Sequence, residues 1–132
     1  MKLLLDTQLL LWSAGEEVKH GGGLSIAAVA LIDDPDNTLV FSSASVWEVA
    51  IKHGLGRADF KADPHVLRRG LLDNGYLELP ITSAHALAVL TLPHRHKDPF
   101  DRILVAQATC EGFTLLTSDE IMGTYPGPIL RV

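Results

Sequence analysis

The stretch HRHKDPFDR, residues 94 to 102, sets Asp98 and Asp101 one helical turn apart behind a basic run of His94, Arg95, His96 and Lys97. Acids at this density either begin a solvated helix or hold a hard cation. Carboxylate oxygens suit hard divalent cations, and an ion placed among them reverses the local field, so that a phosphate is attracted rather than repelled. The choice turns on whether other segments deliver more acids to the same place. Three more acids stand at the right kind of position: Asp6 closes KLLLD, Glu48 lies within ASVWEVAI, and Asp119 closes TLLTSD. His/Cys spacing of the zinc type is missing. Cys110 is the sole cysteine, so the sequence offers neither an intrachain disulfide nor a CxxC motif.

The elements that must position these acids follow from the apolar pattern. KLLL, TLVFS, YLELP, FTLLTSD and PILRV are short runs suited to buried strands. Between them lie helical stretches: TQLLLWSAG closed by Gly15, LSIAAVALIDD stopped at Asp34-Pro35, and SSASVWEVAIKHGLG stopped by Gly54 and Gly56. In the last of these, Ser45 and Glu48 have capping-box spacing, with Ser42 or Ser43 as the other caps. Val46, Val49 and Ala50 are expected to face the core, with Trp47 and Ile51 widening that face. Residues 65 to 72, TSAHALAVLTL with a Thr82 or Ser83 cap, and DPFDRILVAQATCEG with Pro99 in its first turn complete the helices. The polar segment 16 to 23, ending in GGG, is expected to be a loop. Short apolar strands alternating with helices predict a three-layer α/β/α domain over residues 1–132 with a central, mainly parallel sheet.

Parallel strands present their carboxyl ends at one sheet edge, where open α/β folds form a crevice. Asp6 and Asp119 end strands there, Glu48 sits in the first turns of a helix that starts there, and Asp101 sits near the start of the helix before TLLTSD. Topology therefore gathers four acids from four segments, and their repulsion calls for a compensating cation. Each acid also has an ordinary structural use. Asp6 and Asp119 could cap the helix or turn that comes next in the chain, Glu48 could close a capping box, and Asp101 could complement a helix dipole.

Composition bounds the rest. The chain has 132 residues, 47% of them apolar, and a formal charge of −5. That supports a substantial core and argues against a broad basic nucleic-acid surface. Asp6 interrupts the apolar start, and no run reaches the length of a membrane span, so a soluble, cytoplasmic protein is expected. Cys110, in ILVAQATC, reads as a buried thiol. Trp12 and Trp47, in apolar patterns, read as core or interface rather than base-stacking residues.

The strings LLLDTQLLLW, SSASVWEVAIKHGLGR, LPIT, HRHKDPFDRILVAQA and LLTSD, running from residue 3 to 119, resemble the PIN-domain ribonucleases, most of all the VapC toxins of toxin–antitoxin pairs. The family's Asp, Glu, Asp, Asp pattern falls on Asp6, Glu48, Asp101 and Asp119. Asp98 is similar to an extra acid of the DPFD subgroup. Thr7 matches the small hydroxyl residue after the first aspartate, and Thr117 and Ser118 match the hydroxyl-rich approach to the last. The segment EVKHGGGLS departs from relatives with a more polar helix start, and Glu120 adds a nearby acid.

The resemblance implies Mg²⁺ or Mn²⁺, hydrolysis of RNA phosphodiesters to a 5′-phosphate and a 3′-hydroxyl, dimerisation, and silencing by a cognate antitoxin in a heterotetramer or larger assembly. Asp6, Asp101 and Asp119 would hold the metal, and Glu48 would bind a second ion or orient the attacking water. His94, Arg95, His96 and Lys97 suit a loop that grips the RNA backbone, and His96 is also a candidate general acid. Arg102 would hold a phosphate or brace Glu48 or Asp98, Lys52 would pair with Glu48, and His53 and Arg57 would line the rim. Other readings are a PIN-domain nuclease of RNA processing that is not a toxin, and a non-catalytic RNA-binding or partner-binding module. A receiver or haloacid-dehalogenase-like phosphotransfer domain would need a DxD start or a late-strand lysine, and the sequence has neither. A structure-specific DNA nuclease would need a long helical arch for which no segment is suited.

Overall fold

In the computed structural model, residues 1–16, 23–57 and 60–132 are described. Most of the polar segment expected as a loop, including Gly21 and Gly22, lies outside them. The strands are β1 (Lys2–Leu5), β2 (Thr38–Ser42), β3 (Leu77–Leu79), β4 (Thr114–Thr117) and β5 (Ile129–Arg131). The helices are α1 (Thr7–Ser13), α2 (Ile26–Asp33), α3 (Ser43–Gly54), α4 (Pro64–Asp73), α5 (Ser83–Ala88) and α6 (Pro99–Glu111), with 3₁₀ turns at Val89–Thr91 and Met122–Thr124.

The sheet order is β3-β2-β1-β4-β5, and every pairing is parallel. Strand residues alternate between two apolar layers, as period two requires. Leu3, Leu5, Phe41 and Leu116 pack with Leu9 and Leu10 of α1, Val49 of α3, and Leu67 and Leu71 of α4. Leu4, Val40 and Leu115 pack on the other face with Leu104, Val105 and Ala108 of α6 and with Met122 and Tyr125. Both faces are covered, which is why the strands read as continuous apolar runs. The architecture is the expected three-layer α/β/α arrangement.

The strand order carries the main functional consequence. From β1 the chain builds outward through β2 to β3, then returns to pair β4 on the opposite side of β1. The order reverses between β1 and β4, and a crevice opens at such a switch point, outside the carboxyl ends of the strands.

Several local expectations need correction. Ser42, not Ser45, caps α3, accepting the Ala44 N–H at 3.0 Å. Ser45 is inside the helix and buried. The inward face of α3 is Ala44, Ser45, Glu48 and Val49, while Ala50, Trp47 and Ile51 are exposed. The expected apolar face is thus rotated, because Glu48 turns inward with the core residues. Cys110 is exposed, since α6 buries Leu104 to Ala108 and its last turn faces solvent. By contrast Leu9, Leu10 and Leu11 are absorbed by the core, which leaves α1 little apolar surplus.

Phe41 is fully buried at the centre of one layer, whereas Ile26 is 91% exposed. Phe41→Ala is expected to cost roughly 3–5 kcal/mol through lost burial and a residual cavity. Ile26→Ala should stay within about 0.5 kcal/mol. Urea denaturation midpoints check both values, and similar losses for the two variants would contradict this assignment of the core.

Candidate active site

A cleft of about 370 Å³ opens at the carboxyl edge of the sheet. Its lining includes Asp6, Glu48, Asp98, Asp101 and Asp119, together with Thr7, Gln8, Trp12, Lys52 and Ser118. The four acids expected to converge therefore share one cleft, with Asp98 beside them.

Asp6 and Asp119 use one oxygen to start the next element. Asp6 caps α1 by accepting the Leu9 N–H on Oδ1 at 2.9 Å. Asp119 Oδ1 accepts the Ile121 and Met122 N–H groups at 2.8 and 3.0 Å. Asp98 likewise caps α6 through the Phe100 N–H at 2.9 Å. The structural and functional readings of these acids are compatible, because a capping carboxylate spends one oxygen and keeps the other.

Hydroxyl groups tie the acids together. Thr117 Oγ1 donates to Asp6 Oδ2 at 2.6 Å and accepts the Asp119 N–H at 3.0 Å, so it couples the ends of β1 and β4. Thr7 Oγ1 lies 2.8 Å from Glu48 Oε1 and 2.9 Å from Ser45 Oγ. Lys52 Nζ pairs with Glu48 Oε2 at 2.9 Å, the expected i,i+4 bridge.

Asp101 differs from its neighbours. It stands in the first turn of α6, and its Oδ2 meets His96 Nε2 at 2.9 Å. His96 Nε2 also lies 3.5 Å from Asp119 Oδ2. Among the described residues, one atom each from His96, Asp101 and Asp119 lie within 4.8 Å of one another. His96 does not itself line the cleft. It approaches these acids from the loop before α6, where its backbone N–H is held by the Tyr125 hydroxyl at 2.8 Å.

The electrostatic load is visible in two acids. Burial pushes Asp101 up to about 8, with Asp98, Glu48, Asp6 and Asp119 adding repulsion. Burial likewise raises Asp6 to about 6, against the lowering effect of the Thr117 and Leu9 hydrogen bonds, with further repulsion from Asp119 and Glu48. Among the described residues, Lys52 is the sole basic side chain in the cleft lining, and it is committed to Glu48. A hard divalent cation fits this donor set: the free valences are carboxylate oxygens, and the positive charge at hand does not balance them.

The basic residues divide. His94 and Lys97 are exposed. Arg95 turns to the Thr124 carbonyl. Arg102 braces neither Glu48 nor Asp98. Its guanidinium donates to the Pro93 and Val89 carbonyls at 2.9 and 3.2 Å and to the Tyr125 hydroxyl at 3.2 Å, pinning the loop ahead of α6. His53 places Nδ1 at 3.0 Å from the Ala62 carbonyl, and neither it nor Arg57 lines the cleft. Glu120 is exposed and outside the lining. Sequence reasoning missed Gln8 as a lining residue and His96 as a partner of Asp101. The adjacency of a histidine to DPFD was the available signal for the second.

The acid-lined cleft lies at the switch point of a fully parallel α/β sheet, and its carboxylates could chelate a divalent cation. Residues 3–127 match the PIN domain model, and the chain belongs to that family. No curated protein sequence matches the chain. Among solved structures it is similar to VapBC2 from Rickettsia felis bound to a promoter DNA fragment, with TM-score 0.71 and 15% identity over 100% of this chain and 99% of that one. It is also similar to a toxin–antitoxin complex from Klebsiella pneumoniae, with TM-score 0.62 and 19% identity over 97% and 95% of the two chains. A third similarity is to VapBC-1 from nontypeable Haemophilus influenzae, with TM-score 0.57 and 19% identity over 90% and 87%.

A carboxyl group whose pKa is higher folded than unfolded holds its proton more tightly in the folded state. Stability of the metal-free protein therefore falls as pH rises from the ordinary carboxylate range to about 8, and the contribution is level above that. Asp6 contributes only up to about 6, so the fall between 6 and 8 belongs to Asp101. Asp101→Asn is expected to flatten that upper part of the profile. Thermal melts across pH in the presence of a chelator check this, and an equal decline in both proteins would count against it.

Proposed function

We propose that the chain is a divalent-cation-dependent endoribonuclease of the toxin kind, restrained by a partner protein. The observation that carries this reading is the meeting of Asp6, Glu48, Asp101 and Asp119, from four separate segments, in one cleft where Lys52 is the one basic side chain among the described residues. Family membership supports the nuclease class. The toxin–antitoxin assemblies of the same fold support the partner.

Asp101 and Asp119 would hold Mg²⁺ or Mn²⁺ through the oxygens that face each other near His96, and Asp6 would do so from the end of β1. Bound there, the cation supplies Lewis-acid stabilisation of the charge that grows on the phosphoryl oxygens. Glu48, fixed by Thr7 and Lys52, would orient the attacking water or bind a second cation. Thr117 would keep Asp6 and Asp119 in register. His94 and Lys97 would contact the phosphate backbone. The acidic cleft, the small size of the chain and its net charge of −5 favour an exposed loop or single-stranded RNA, where bases can be splayed out.

Asp119→Asn should lower metal-dependent cleavage by at least about 100-fold, because it weakens a charge that acts directly on the reacting group. Asp6→Asn and Asp101→Asn should behave similarly, and Asp98→Asn should lose less than Asp101→Asn. Single-turnover cleavage with mapping of 5′-phosphate ends measures this. Wild-type rates in Asp6→Asn and Asp119→Asn would defeat the assignment.

A homodimer belongs to the same proposal. Trp47 is 59% exposed and meets Phe100 edge-on, with ring centroids 5.1 Å apart. The two rings line an apolar groove with Ile81, Val89 and Ile103. Sedimentation should give a dimer for the wild type and a monomer for Trp47→Glu, with a larger species when the antitoxin is added. A wild-type monomer at micromolar concentration would remove the dimer from the proposal.

A further inference from the structure

His96 meets the acid cluster in a particular way. The Asp98 backbone N–H donates to His96 Nδ1 at 3.1 Å. That nitrogen is therefore an acceptor, and the ring proton resides on Nε2. The Nε2–H points at Asp101 Oδ2, 2.9 Å away, and towards Asp119 Oδ2 at 3.5 Å. Asp119 has already given Oδ1 to the Ile121 and Met122 N–H groups, so Oδ2 is the oxygen it has left for the cluster. A nitrogen bearing a proton cannot ligate a metal. Moving the proton to Nδ1 would set it against the Asp98 N–H. The backbone thus locks His96 as a donor at the place where its acid partners would otherwise face a cation.

We propose that His96 is a positioning residue that competes with the cation, occupying the free oxygens of Asp101 and Asp119 in the metal-free protein and releasing them when the metal enters. The inference rests on the metal-dependent reading above. Removing the imidazole should not scatter the acids. Asp119 is fixed by two backbone N–H groups, and Asp101 is carried on the first turn of α6. Loss of competition should therefore outweigh loss of support.

Mn²⁺ binding, read by electron paramagnetic resonance of the free ion, distinguishes competitor from ligand without any assay of cleavage. The proteins compared are the wild type, His96→Ala, and His96→Gln, which restores an N–H near the Nε2 position. His96→Ala should bind Mn²⁺ roughly ten- to hundredfold tighter, the worth of one hydrogen bond to a charged group, and His96→Gln should return towards the wild type. Equal or weaker binding by His96→Ala would overturn the proposal while leaving the metal reading intact. Absence of Mn²⁺ binding in all three proteins would overturn both. Nitrogen-15 spectra of the wild-type imidazole give a second test that needs no variant. The Nε2–H form is expected without metal, with a shift of the Nε2–H signals when Mg²⁺ is added. A Nδ1–H form, or signals indifferent to saturating Mg²⁺, would also overturn the proposal.

Discussion

The rest of the structure depends on placing several carboxylates together in a partly dry cleft. Each would be more comfortable in water, and each makes its neighbours less comfortable. The fold meets this cost with short-range donors. Backbone N–H groups serve Asp6, Asp98 and Asp119, hydroxyls serve Asp6 and Glu48, and one lysine serves Glu48. Asp101 has no backbone donor of this kind, and it carries the largest upward displacement, to about 8. Asp101 relies instead on the His96 imidazole, and it is the acid that burial raises most.

The same donors are structural parts. The bonds that make Asp6 and Asp98 helix caps also aim their remaining oxygens, so folding and site assembly are one event. Thr117 extends the principle across the sheet, because its hydroxyl accepts the Asp119 N–H and donates to Asp6, joining the ends of two adjacent parallel strands. A capping carboxylate has one favoured orientation, and Thr7, Thr117 and Lys52 steady the acids of the cleft further.

Much of this was legible in the sequence because it depends on local spacing and on one topological rule. Apolar runs ending in Asp6 and Asp119 located strand ends, and a parallel sheet then had to bring those ends to one edge. Pro99 after Asp98 located a helix start. What escaped was decided by partners distant in sequence. His96 looked like a member of a basic, RNA-gripping run, but the Tyr125 hydroxyl holds its backbone and the Asp98 amide orients its ring. Arg102 looked available to an acid, but the carbonyls of Pro93 and Val89 reach it first. Cys110 and Trp47 sit in apolar runs whose buried arc is a little narrower than the run, and periodicity alone does not show which edge of the arc is left outside.

The β1–β4 pairing also gives the cleft an order in time. Asp6 and Thr117 are 111 positions apart, yet they share one of the shortest hydrogen bonds in the site. Chains emerge from the ribosome N-terminal end first, and long-range parallel pairings form late. A nascent chain carrying Asp6, Glu48 and even Asp101 still has the central strand open on one side. Only when Leu115 and Leu116 dock beside Leu4 and Leu5 does Asp119 arrive and the cluster close. The β1–β4 pairing closes the longest loop of the sheet, so the cluster is completed late in folding.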